Sequence, residues 1–154
     1  MRNRLYLDTS CIGGCEDPEF APWSKQLVEE IARGVYIGVI SDLTRRELED
    51  APQKIRKIIK DIPNEFIEKV FMTPESENLA RYYVKNGIVS EKYIADALHV
   101  AVASVAKVDV IISWNFKHMV NLERIHAYNS VNLKLGYPLI DIRTPREVLY
   151  EKGI

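Results

Sequence analysis

The segment from Ala95 to Ala106 reads Ala-Asp-Ala-Leu-His-Val-Ala-Val-Ala-Ser-Val-Ala, apolar nearly all round except for Asp96 and a few small polar positions. A soluble protein tolerates such a helix only when it is covered on most sides, so the Asp96 carboxylate lacks an easy route to water. An ionised carboxylate buried without a partner costs several kcal/mol or takes up a proton. Asp96 therefore has to face a cation, a metal or a polar crevice. An ion pair with a buried Arg, or hydrogen bonds from helix N-termini, would satisfy it equally well, and other acids must decide between these readings.

Asp8 ends an apolar run in Leu-Tyr-Leu-Asp-Thr-Ser, and Asn115 follows the run Val108 to Ile112 in Ser-Trp-Asn. If both runs are strands of an open parallel sheet, Asp8 and Asn115 sit at strand carboxyl ends, where such sheets bind ligands. An N-cap or Asx-turn would also account for Asp8. Glu47 lies in Ser41-Asp42-Leu43-Thr44-Arg45-Arg46-Glu47-Leu48, where Thr44-x-x-Glu47 fits a capping box that folds the carboxylate back onto the backbone. Ser41 or Asp42 makes the better cap, however. A helix starting there projects Glu47 from the same end of the sheet as Asp8.

Asp8, Glu47, Asp96 and Asn115 all offer oxygen, which suits a hard divalent cation such as Mg2+ or Mn2+ rather than zinc. Such an ion activates water, neutralises a phosphate and stabilises the departing oxygen, so phosphodiester hydrolysis needs no covalent intermediate. Competing chemistries lack their parts. Gly13-Gly14 belongs to neither a dinucleotide fingerprint nor a P-loop. Ser10 stands where an aspartyl-phosphate phosphatase would carry a second Asp, and His99, His118 and His126 form no zinc-protease pattern. His99 is expected to pack one turn from Asp96, and His118 is the histidine expected near the site.

The elements that must position these residues alternate along the chain. Arg4 to Leu7, Val35 to Ile40, Lys69 to Met72, Val108 to Ile112 and Leu139 to Ile142 read as strands. Trp23 to Arg33 (stopped by Gly34), Leu43 to Ala51, Gln53 to Ile62, Glu75 to Asn86, Glu91 to about Lys107 (capped by Ser90), Glu123 to Leu135 and a last turn from Pro145 read as helical. This pattern predicts a three-layer α/β architecture, with a mostly parallel sheet of about five strands covered on both faces. In Gln53 to Ile62 the stripe Ile55, Ile58, Ile59 and Ile62 leaves Lys54, Arg56, Lys57 and Lys60 on an outer basic side, read as a solvated face.

With 154 residues, 47% hydrophobic and 28% charged, the chain is expected to form one domain over residues 1–154. Seven Gly and seven Pro are too few for low complexity, and no apolar run approaches the ~20 residues needed to span a bilayer. Asp8 interrupts Leu5 to Leu7 before that stretch could serve as a signal-peptide core, so a cytoplasmic location is expected. Cys11 and Cys15 are the only cysteines and read as reduced packing thiols. A net charge of −1 gives no global basic footprint, so a polyanion would have to be met by a local patch.

Together these residues resemble the PIN-domain ribonucleases, and among them the VapC-like toxins of toxin-antitoxin pairs. The likeness covers most of the chain. It is carried by Leu-Asp8-Thr-Ser, Ser41-x-x-Thr44-x-x-Glu47-Leu, Asp96-Ala-Leu-His-x-Ala-x-Ala and Ser113-Trp-Asn115-Phe-Lys-His, in that order. The resemblance implies a Rossmann-like sheet with an acidic pocket for Mg2+ or Mn2+ and a metal-dependent endoribonuclease activity of a type II toxin. Asp8, Glu47 and Asp96 become metal-site acids with Asn115 as a fourth site residue, and Ser10, Ser41, Thr44 and Ser113 become supporting polar groups. The position of Asn115 is often Asp in that family, so this site has one negative charge fewer than the fullest pattern. The resemblance also implies an RNA substrate, a small antitoxin protein covering the pocket and a homodimer. Arg45, Arg46, Lys117 and His118 are the candidate RNA-phosphate contacts. The alternative is a catalytically silent PIN-like domain that binds nucleic acid or regulates.

Overall fold

The computed structural model describes residues 1–152. Its five strands are β1 (Arg4–Leu7), β2 (Ile37–Ser41), β3 (Ile67–Val70), β4 (Val110–Ile112) and β5 (Asp141–Arg143). They form one sheet in the order β3-β2-β1-β4-β5, and every pair is parallel. The strand order reverses direction at the β1/β4 junction, which opens a crevice at the carboxyl ends of these two strands. Asp8 and Ser113 lie at that junction: the Asp8 N–H donates to the Ile112 carbonyl at 3.0 Å, one residue past the end of β1.

The helices are α1 (Thr9–Gly13), α2 (Ala21–Ala32), α3 (Asp42–Leu48), α4 (Gln53–Lys60), α5 (Pro74–Lys85), α6 (Ile94–Val105), α7 (Leu122–Leu135) and α8 (Pro145–Lys152). Successive strand residues point to opposite faces, and the core divides accordingly. Tyr6, Val39, Ile111 and Ile142 pack into one apolar cluster with residues of α5, α6 and α7. Leu5, Leu7, Ile40 and Ile112 enter a second cluster with Leu27 and Ile31 of α2 and Ile55 of α4. Three layers result.

Several element bounds depart from the sequence reading. β2, β3 and β5 sit at 37–41, 67–70 and 141–143 rather than 35–40, 69–72 and 139–142, and β4 begins at Val110 rather than Val108. The apolar runs continue beyond the hydrogen-bonded ladder, because a buried loop residue such as Val108 or Ile140 looks like strand in a hydrophobicity pattern. The helix read from Glu91 opens with a 3₁₀ turn, Glu91–Tyr93, and Ser90 makes no side-chain cap bond. α3 ends at Leu48 rather than Ala51. The short α1 and the 3₁₀ turn Gly14–Glu16 after it were not anticipated, since five residues are too few to show a helical period. Gly34 does stop α2, at a φ of 81° that a residue with a Cβ rarely adopts.

Candidate metal centre

The second apolar face of α6 brings Asp96 and His99, three residues apart and hence neighbours on one helix face, to the carboxyl end of the sheet. Asp8 reaches the same place from the end of β1. It occupies the N-cap position of α1, yet its side chain makes no cap hydrogen bond. Its Oδ2 instead accepts from the Ser10 hydroxyl at 2.6 Å and the Ser113 hydroxyl at 2.8 Å. Those serines are fixed in turn: Ser10 Oγ accepts from the Trp114 N–H and Ser113 Oγ from the Asn115 N–H, both at 2.9 Å. With one oxygen so held, Oδ1 is the one that approaches His99 Nε2, at 3.5 Å.

Glu47 arrives from α3. Ser41 is the N-cap, accepting from the Thr44 N–H at 3.1 Å, so the capping box centred on Thr44 does not form. Thr44 is instead buried and donates to the Leu7 carbonyl at 3.2 Å, tying α3 to the end of β1. Glu47 Oε1 accepts from the Thr9 hydroxyl and lies 2.7 Å from His99 Nε2. His99 is 1% exposed, and its Nδ1 lies 2.7 Å from the hydroxyl of Tyr6, which in turn lies 2.7 Å from Ser41 Oγ. A carboxylate 2.7 Å from Nε2 requires the proton on that nitrogen. Tyr6 therefore donates to Nδ1 of a neutral ring or accepts from a charged one.

His99 is the functional residue that the sequence reading missed, having been assigned to packing. His118, expected near the site, is buried with Tyr93 stacked at 4.0 Å, and neither of its ring nitrogens has a hydrogen-bond partner. Asn115 holds the start of its turn: its Oδ1 accepts from the His118 N–H at 3.0 Å, and its side chain acts to lower the Asp96 carboxyl.

The four oxygen-bearing residues expected at the site, Asp8, Glu47, Asp96 and Asn115, all line one open cleft of about 640 Å3 together with Thr9, Ser10, Asp17, Phe20, His99 and Trp114. None of Arg45, Arg46, Lys117 and His118 is in that lining. Arg45 lies over the exposed Phe71 ring at 5.4 Å and Lys117 over the Tyr93 ring at 5.6 Å, both outside the cleft. Thr9, Asp17, Phe20 and Trp114 are further lining residues that the sequence pattern did not single out.

Electrostatically the acids differ. Burial alone would raise the Glu47 pKa, but the hydrogen bond and charge of His99, with the Thr9 hydroxyl, hold it below the ordinary carboxylate value. Burial and the neighbouring Asp8 raise Asp96, against the pull of His118, Asn115 and His99. Burial would depress His99, yet the bond to Glu47 and the charges of Asp8, Glu47 and Asp96 lift it above the usual histidine value. Neighbouring negative charge raises His99 and adds to burial at Asp96, whereas Glu47 is lowered because it faces the imidazole and the Thr9 hydroxyl.

Asp8, Glu47 and His99 each offer one ligand atom, and these atoms lie within 4.8 Å of one another. Two carboxylate oxygens and one ring nitrogen fit a divalent cation, with oxygen serving Mg2+ or Mn2+ and the nitrogen favouring a first-row transition ion. The donor set differs from the all-oxygen one expected, because His99 enters it. A cation at Nε2 would displace the proton that now bonds Glu47, so metal and proton compete for that atom.

No protein-family model and no curated protein matches the sequence. Among solved structures the chain is similar to a chain in the crystal structure of VapBC2 from Rickettsia felis bound to a DNA fragment from their promoter. The TM-score is 0.52 at 12% identity, covering 92% of this chain and 98% of that one. A likeness at that identity is a likeness of fold, and it agrees with the strand order and layers described above: the chain has a three-layer α/β, PIN-like fold of the VapC type.

Proposed function

We propose that this protein is a metal-dependent endoribonuclease that hydrolyses RNA phosphodiester bonds and serves as the toxin of a type II toxin-antitoxin pair in the cytoplasm. The reading is carried by one observation: three carboxylates and His99 from three separate segments meet in a single cleft at the switch point of a PIN-like sheet. Asp8, Glu47 and His99 would hold the cation, Mg2+ or Mn2+. When bound, it supplies an activated water and neutralises phosphate charge. Asp96, raised by burial and by Asp8, is the carboxylate best suited to take a proton at its oxygens from the attacking water near neutrality. Asn115 keeps that carboxylate oriented through its amide. Ser10 and Ser113 fix Asp8, and Ser41 and Thr44 fix the start of α3 and the Tyr6 hydroxyl. Arg45, Arg46 and Lys117 would meet RNA phosphates beyond the cleft, whereas His118 is buried and out of their reach.

Among the described residues no helix is long and apolar enough to cross a membrane. A small antitoxin protein and a homodimer are proposed as partners of this chain on the family resemblance of its motifs. A second reading, a catalytically silent domain that binds nucleic acid, draws on Asn115, whose amide and carbonyl are already engaged by Asp96 and His118. Purified protein incubated with a mixed RNA pool in Mn2+, in Mg2+ and in EDTA separates the two. Cleavage in metal that is lost in Asp96→Asn supports the nuclease; retention of RNA without cleavage in either metal selects the silent binder.

A further inference from the structure

Beside the acids, the cleft has an aromatic wall that the metal chemistry does not use. Phe20 and Trp114 both line it, and their rings stack with centroids 4.2 Å apart and planes 15° from parallel. Phe116 stands next to them, 6.4 Å from Phe20 and 6.3 Å from Trp114, and is 53% exposed. None of the three belongs to either apolar core cluster.

Trp114 is nevertheless built in firmly. It is buried, its Nε1 donates to Ser24 Oγ at 2.8 Å, and Trp23 meets it edge-on at 6.3 Å. The close approach depends on Gly14, where a Cβ would lie 2.7 Å from Trp114 Nε1 and 2.6 Å from Ser24 Oγ. A rigid indole thus backs the part-exposed Phe20 and the exposed Phe116. Cationic groups frame the wall: the Arg146 guanidinium lies 5.0 Å over the Trp23 ring, and exposed Lys117 follows Phe116 in sequence.

Flat rings backed by a fixed indole, opening onto carboxylates that would serve phosphate chemistry and flanked by cations, match one ligand chemistry: a nucleobase whose face is free. Bases in a duplex keep both faces covered by their neighbours, so only an unpaired nucleotide can use such a wall. The indole N–H is spent on Ser24, so the ring meets a base by its surface and not by that donor. Resting on the nuclease reading above, we propose that Phe20, Trp114 and Phe116 form a stacking platform that seats one unpaired base next to the scissile phosphate. Recognition there is by ring area, tolerant of base identity but dependent on a base being present.

The test is binding in EDTA, where cleavage does not interfere, using fluorescence anisotropy with single-stranded oligoadenylate, oligouridylate and an abasic ribose-phosphate strand of the same length. The expected result is that oligoadenylate binds about tenfold more tightly than the abasic strand, the usual scale of one base–aromatic stack, with tryptophan fluorescence quenched on binding. Oligouridylate should fall between them. Phe116→Leu keeps an apolar side chain at an exposed position but removes the ring, and should erase most of that difference, whereas Phe116→Tyr retains it. Leu133→Ala, at a position 71% exposed on α7, is the control and leaves it unchanged. Equal affinity for base-bearing and abasic strands, or an unaltered preference in Phe116→Leu, overturns the platform; if metal-dependent cleavage persists in that case, the nuclease reading stands and the wall is assigned to a protein partner. Absence of any RNA binding or cleavage overturns both.

Discussion

Asp8 and Glu47 are held by hydroxyls and an imidazole, whereas Asp96, across the same cleft, has the Asn115 amide and a raised pKa. Glu47 is arranged to stay ionised: it is lowered despite its partial burial, because His99 and Thr9 both donate to it. Asp96 is shifted the other way, with its carboxyl raised by burial and by Asp8. The two sides of one cleft thus divide the work between binding charge and moving a proton, which pairs of carboxyl groups in unlike surroundings can do. Sequence alone presents these three acids as equivalent.

The largest expected effect breaks both sides at the level of chemistry but separates them at the level of stability. Asp8→Asn and Asp96→Asn should each lower metal-dependent RNA cleavage by about a hundredfold or more, through lost charge at the cation or lost proton acceptance. In EDTA their melting temperatures should move in opposite directions. Asn at position 8 weakens two charge-assisted hydroxyl bonds and the attraction of His99, which should cost about 1–3 kcal/mol. Asn at position 96 removes a partly buried charge that Asp8 repels, and should raise Tm by about 1–3 °C. A thermal melt showing Asp96→Asn strongly destabilised would mean that Asp96 is a structural ion-pair partner.

A smaller effect concerns pH. The Glu47 carboxyl is held below its ordinary value of 4.5, so its contribution to folding is complete above that value and disappears as pH falls through the lowered one. His99 is held above its ordinary 6.5, so its contribution is complete below 6.5 and is lost as pH rises through the raised value. Asp96, with its raised carboxyl, works against folding as pH rises from its ordinary 3.8 through the raised value, because its ionisation is less favourable folded than unfolded. Without metal, Glu47 and His99 together should therefore favour folding most between 4.5 and 6.5. His99→Gln should destabilise by about 1–3 kcal/mol at pH 6 and flatten the alkaline limb, measured by denaturant melts in EDTA from pH 4 to 9. An unchanged limb would show that His99 is neutral throughout. Tyr6→Phe, which deprives Nδ1 of its partner, should cost about 1 kcal/mol and weaken Mn2+ binding in calorimetry through loss of ring orientation.

The same comparison marks what sequence could and could not disclose. The acids at strand ends and within an apolar helix were legible because their types conflict with their surroundings, and the alternation of strands and helices gave the layers. His99 was not, since a histidine in an apolar helix is ordinarily a packed one. Its spacing of three from Asp96 was the available signal: two polar residues sharing one face of an otherwise apolar helix must share a destination. Thr9 and Asp17 lie on or just after α1, too short to show a period, and the pairing of Phe20 with Trp114 joins residues far apart in sequence through a glycine whose role is spatial. Ladder ends were misplaced by two residues for a related reason: buried loop residues and strand residues look alike in pattern.

The smallest expected effect sharpens the looser side of the cleft. The Asn115 side chain acts to lower the Asp96 carboxyl, and its Oδ1 accepts the His118 N–H. In Asn115→Asp the bond to His118 can persist, since a carboxylate oxygen accepts as an amide carbonyl does, but the favourable influence on Asp96 becomes a repulsion between two carboxylates. In EDTA the variant should lose about 1 kcal/mol of stability, and Asp96 should move further above the ordinary carboxylate value. A divalent cation would relieve that repulsion, so the added charge should tighten Mn2+ binding by a few-fold, with cleavage at low Mn2+ preserved or raised. Calorimetric titration of metal into both proteins, run beside cleavage of a fluorescent RNA, measures the coupling directly. Tighter binding places residue 115 within reach of the cation. Unchanged affinity combined with lower stability would instead confine Asn115 to orienting Asp96 and closing the turn that presents His118, and would leave the cation to Asp8, Glu47 and His99.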